Sequence, residues 1–243
     1  MKLNKLFPAT LCLTLIASPN FGFANESNGV EAQIRASLNR ASKAVNLPNA
    51  KSVAVFGDNE SVVLTDNPRW VVKGQLYDMW DNKEINSQAD LAAAAKVIPI
   101  NTINVNTTDI IDIRVRPEKS SILTVFLDPF SEQSANEMYL LNKYASEYQV
   151  RYIFTAMSQT NIKPFFNFAC STTTISTDEI VDMVINKRFS NTDRSCRVEQ
   201  AMNSFGLTQF LHINKSPTLI APNNIFHAGM PVQLMDWLKT NTL

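Results

Sequence analysis

The stretch LTVFLDPFSEQSANEM, residues 123–138, decides how this chain folds. Residues 123–127 are apolar or β-prone and end at Asp128-Pro129, the pattern of a buried strand closed by turn chemistry. Ser134 is followed three residues later by Glu137, the spacing of a capping box at a helix start. Met138, Leu141, Tyr144, Ala145 and Tyr148 then recur at helical spacing, so a strand feeds through a short loop into the amino end of a helix. That end carries partial positive charge and stabilises an anion placed on it, which is how a cysteine there becomes a reactive thiolate. Here the loop offers two hydroxyls instead, Ser131 and Ser134, separated by Glu132 and Gln133.

The rest of the chain bounds what such a loop serves. At 243 residues, 45% hydrophobic and 18% charged, the composition is that of a globular protein able to bury a core. Residues 1–24 read as a cleavable export signal: Lys2 and Lys5 precede an apolar run over 6–16, and small residues surround a cut after Ala24. No other run approaches membrane-spanning length, so no membrane insertion is expected after cleavage. Removing the signal takes two lysines from a chain with 22 basic and 22 acidic side chains, leaving it slightly acidic. No basic field remains for nucleic acid or anionic lipid. Cys12 leaves with the signal. Cys170 and Cys196 remain, and in an oxidising compartment they read as one disulfide, with two buried thiols as the alternative.

In chain order, residues 30–45 carry an apolar stripe at Ile34, Leu38, Ala41 and Val45 and are predicted to form an amphipathic helix. Two β-prone runs around Gly57-Asp58-Asn59 and a third over 69–73 make a small antiparallel sheet. Ser87 caps a helix reaching Lys96, with Asp90 in its first turn. Residues 101–112 are rich in Asn and Thr and read as the domain junction. Beyond 113 the pattern is mixed α/β: strand 123–127, its helix, and strand 150–155, an arrangement that implies a parallel crossover. A mostly polar segment containing Cys170 follows, then helices near 178–187 and 197–205. The chain closes with strand 218–221, an Asn223-Asn224 turn, residues 225–227, and a helix from Pro231 to Lys239.

On these residues the chain resembles the DsbC and DsbG family, exported disulfide isomerases and chaperones with a thioredoxin fold. WVVKGQLYD (70–78) is similar to the family's dimerisation domain, and the helix from Ser87 matches its linker. TVFLDPFSEQS (124–134) matches the active-site strand and loop, with Ser131 and Ser134 where the family has reactive cysteines. SPTL (216–219) matches the loop whose proline is cis, which implies a cis bond at Ser216-Pro217. Cys170 and Cys196 match a structural disulfide. The resemblance implies an α+β two-domain fold: signal 1–24, antiparallel dimerisation domain 25–84, linker helix and junction 85–112, and a thioredoxin-like α/β domain 113–243 with a helical insertion.

A serine hydroxyl cannot replace the thiolate of disulfide exchange, so no catalytic residue is expected at Ser131 or Ser134. A serine nucleophile needs a base in reach, and His212 and His227 lie in no hydrolase motif. The same two histidines lack the partners of a metal site, and neither metal nor cofactor is expected. Trp70, Trp80 and Trp237 read as packing residues. What survives is binding: a periplasmic homodimer holding unfolded or partly folded proteins, with Pro129 and Phe130 as client-binding candidates. The alternatives are a structural part of a secretion or conjugation assembly in the envelope, and an active isomerase.

Overall fold

The computed structural model describes residues 43–48, 50–57, 61–67, 69–103, 105–189 and 196–242. The expected export signal over 1–24 and most of the helix predicted over 30–45 lie outside them. The end of that helix is corrected: Lys43–Asn46 is a strand, β1, paired antiparallel with β2 (Val53–Phe56). Its β-branched Val45 suits a pleated pairing, and pairing with β2 here outcompetes the helical period.

The chain divides into two compact units, one comprising 1–46 with 51–74 and the other 47–50 with 75–243. In the smaller unit, β3 (Ser61–Leu64) and β4 (Val71–Gly74) complete a sheet ordered β1-β2-β3-β4. Ala54, Val55 and Phe56 are successive and all buried, so both faces of β2 are covered. At the edge, β4 is exposed throughout.

The larger unit starts with the hairpin β5 (Leu76–Asp78) and β6 (Lys83–Ile85), followed by α1 (Gln88–Ala94). Ser87 caps α1 by accepting from the Asp90 N–H. Residues 75–112, placed by sequence across a domain end and a linker, belong to this unit. Phe226 N–H donates to the Lys96 carbonyl at 3.0 Å, Ile98 N–H to that of Asn224 at 2.9 Å, and Ile98, Ile100 and Ile110 are buried with Phe126 and Ile153.

A five-stranded mixed sheet forms the centre, ordered β11-β10-β8-β9-β7. Its strands are β7 (Asp112–Val115), β8 (Ile122–Leu127), β9 (Gln149–Phe154), β10 (Thr218–Ile220) and β11 (Phe226–Ala228). β8 and β9 are parallel and joined through α2 (Ser134–Tyr144), while β10 runs antiparallel to both β8 and β11. Both central strands bury consecutive residues, as strands covered on two faces must. This order is consistent with a thioredoxin-like fold.

Around the sheet lie α3 (Gln159–Ser171), α4 (Thr177–Ile185), α5 (Val198–Phe210) and α6 (Leu234–Thr240). Three expectations change. The polar segment before Cys170 is α3, whose Ile162, Phe165, Phe166 and Ala169 follow helical spacing despite Pro164 inside it. The last helix begins at Leu234, so Pro231 lies before it and not at its first position. α2 ends at Tyr144, leaving Tyr144 exposed and Tyr148 buried in the following turn, where its hydroxyl meets that of Thr242. Trp80 and Trp237 pack against the core, while Trp70 is 58% exposed.

Candidate functional site

β8 delivers Asp128 to the carboxyl edge of the central sheet, and α2 starts six residues later. Asp128 is 1% exposed and fully engaged. One carboxylate oxygen accepts from the Phe130 N–H at 2.9 Å, the other from the Met157 N–H and Asn161 Nδ2, both at 2.8 Å. Its own N–H donates to Ser216 Oγ at 2.9 Å, tying the loop to the segment before β10. Ser216-Pro217 is cis, and Pro217 is buried. Cys170, at the end of α3, and Cys196, before α5, are joined by a disulfide.

The capping box expected at Ser134 does not form. Gln133 is the N-cap and Ser134 the first helical residue, with its hydroxyl turned back toward the Pro129 carbonyl at 2.8 Å and that of Ser131 at 3.1 Å. Glu137 therefore does not close on the helix start. It is 6% exposed, and its Oε2 is buried without a hydrogen-bond partner. Burial raises its pKa above the usual carboxylate value, against the opposing pull of Lys187 and Lys215. Ser131 Oγ is likewise buried and unpartnered.

The residue that sequence reasoning missed is Lys187. Its Nζ donates to the Pro129 carbonyl at 3.1 Å, the Ser131 carbonyl at 2.7 Å and Ser134 Oγ. An ammonium has three N–H groups, and here three oxygens receive them. Desolvation lowers the Lys187 pKa, while the Asp128 and Glu137 carboxylates oppose the shift. The lysine reaches the loop from the end of α4, 53 residues further along the chain from Ser134. No periodicity or motif signals a contact of that separation.

This arrangement decides what the serines can do. Ser134 Oγ is fully buried, gives its proton to a carbonyl and accepts from Lys187. A nucleophilic serine needs an exposed oxygen and a neutral base with a free lone pair, and an ammonium donating to three oxygens is neither free nor a base. His212 is exposed, and His227 bonds the Gly229 carbonyl at 2.9 Å and packs against Trp237, so neither histidine joins the loop. Among the described residues, no group of three His, Cys, Asp or Glu side chains could hold a metal.

The client-binding candidates are covered. Pro129 is buried, and Phe130 is half-buried in an aromatic cluster, 4.4 Å from Phe189 and 6.3 Å from Phe168 between ring centroids. Pro129 and Pro217 are both buried, and Lys187 and Phe189, just after α4, contact the loop at Pro129, Phe130, Ser131 and Ser134. A cavity of about 320 Å³ exists elsewhere in the larger unit, lined by Leu76, Trp80, Ile85, Leu91, Ile98 and Phe226 among others, and includes none of the loop residues.

No protein-family model matches the chain, and no curated protein matches it. Solved structures do. A disulfide interchange protein from Neisseria gonorrhoeae is 17% identical with a TM-score of 0.45, over 56% of this chain and 98% of its own. Helicobacter pylori DsbG is 13% identical with a TM-score of 0.40, over 78% and 97%. A periplasmic thioredoxin-like protein from Salmonella enterica serovar Typhimurium is 13% identical with a TM-score of 0.39, over 53% and 86%. No helix among the described residues is long and apolar enough to cross a membrane.

Proposed function

We propose that this chain is an exported relative of the disulfide interchange proteins that has given up thiol exchange and acts by binding, as a periplasmic homodimer that holds partly folded proteins. One observation carries the reading: the loop that would present a reactive thiol presents Ser134, whose hydroxyl is buried and committed to Lys187 and Pro129. The Cys170–Cys196 disulfide is a poor substitute, because a structural disulfide resists exchange.

The dimer has a candidate surface in β4. It is an edge strand with Val72 59% exposed, and Trp70 immediately before it is 58% exposed. Among the described residues β4 ends its sheet, and an edge strand carrying exposed apolar side chains is a template for a second strand. Sedimentation of the mature protein should give a dimer, and Val72→Lys should shift it to monomer; a monomeric wild type rejects this arrangement.

The holding role is tested by in-cell cross-linking and recovery of the tagged mature protein from the periplasm. Many unrelated, partly folded proteins are the expected catch. One or two stoichiometric envelope proteins would favour the second reading, a structural part of an envelope assembly, which a loop sealed by its own chain also suits.

A further inference from the structure

The segment that covers the loop is built at a backbone cost. α4 ends in a Schellman motif: the Lys187 N–H donates to the Val184 carbonyl and the Arg188 N–H to that of Met183. The residue at the turn of this motif is ordinarily glycine, since it must adopt a left-handed conformation. Here it is lysine, with φ of 52°. Such strain persists where the surroundings hold it in place. The three oxygens around Nζ do so, and two residues further on Phe189 packs tilted against Phe130 at 4.4 Å and edge-on to Phe168 at 6.0 Å.

The receiving surface has matching chemistry. Two carbonyls and a hydroxyl accept a cation, with the buried carboxylates of Asp128 and Glu137 behind them, one Glu137 oxygen still unpartnered. Beside these acceptors Phe130 and Phe168, the latter backed by Phe154 at 4.9 Å, accept an aromatic ring. We propose that residues 187–189 are an internal occupant of a cation-plus-aromatic site, and that a segment of another chain with a basic residue and an aromatic two positions later competes for it. This rests on the holding role proposed above and defines the chemistry of the held segment.

The test uses the mature protein, wild type and Lys187→Gly/Phe189→Ala. Glycine suits the left-handed turn, so the end of α4 is retained while both occupying side chains are lost. A fluorescein-labelled peptide carrying Lys-Arg-Phe in a Gly/Ser background is titrated by anisotropy, beside peptides with Glu-Arg-Phe and Lys-Arg-Ser. The variant should bind Lys-Arg-Phe at least tenfold more tightly than wild type and discriminate against both controls. Equal affinity for the two proteins, or binding indifferent to the charge or the ring, overturns the proposal. If the double variant does not fold, Lys187→Gly alone decides, with at least a threefold gain expected. Retention of carboxymethylated α-lactalbumin, measured in parallel, separates the two claims. Wild type that retains the unfolded chain without any peptide gain in the variant rejects the internal occupant and leaves the holding role. Peptide gain without retention by either protein leaves the site and rejects the holding role.

Discussion

Glu137 stands in the first turn of a helix, where a carboxylate is ordinarily stabilised, yet burial outweighs that benefit and raises its pKa. A carboxyl with a raised folded-state value holds its proton more tightly in the folded protein. Its contribution to stability is therefore fully present below the ordinary value of 4.5 and lost as pH rises through the folded value. Glu137→Gln removes that dependence. In urea unfolding, the stability of wild type relative to the variant should fall as pH rises from about 4 to 7; a constant difference would contradict the account. Lys187 gives a second test. Lys187→Met keeps most of the stem but takes the ammonium from three loop oxygens, the Pro129 and Ser131 carbonyls retaining the Ser134 hydroxyl, and should cost about 1 kcal/mol for a contact partly open to water. Amide exchange over residues 131–134 should quicken in the same variant. Neither role is legible from sequence: Ser134 and Glu137 have the spacing of a capping box, and only the turn of Ser134 toward Pro129, with a lysine arriving from α4, shows why it does not form.

At the scale of elements, β8 and β9 were readable because their apolar runs are short, dense and closed by turn residues. α3 was not, because Gln159, Thr160, Asn161, Lys163 and Pro164 hide the stripe of Ile162, Phe165, Phe166 and Ala169 beneath polar composition. The edge of the sheet holds a further feature outside any motif. Arg151 on β9 and Asp112 on β7 form an ion pair at 2.8 Å with side chains only 10% and 9% exposed. Removing one partner of such a pair strands the other charge, so Asp112→Ala should lower the unfolding free energy by about 3 kcal/mol. Lys83→Ala, which breaks the exposed pair with Asp81, should leave the unfolding midpoint nearly unchanged. Equal effects from the two changes would mean that burial is not what separates them.

Across the whole molecule, the pairing of Cys170 with Cys196 was accessible from cysteine count, because the expected signal cut after Ala24 would leave only two cysteines. The 26-residue separation they close corresponds to about 3 kcal/mol in the chain-entropy account, so Cys170→Ser/Cys196→Ser should lose about that much stability in denaturant. The extent of the larger unit was less accessible. Residues 101–112 look like a junction by composition, whereas Ile98, Ile100 and Ile110 anchor this region in the core beside Phe126. On the proposed function, the chain acts without exchanging disulfides. Reactivation of scrambled ribonuclease in a glutathione buffer by the mature wild-type protein tests it most directly. The uncatalysed rate is expected; acceleration that disappears in Cys170→Ser/Cys196→Ser overturns the proposal.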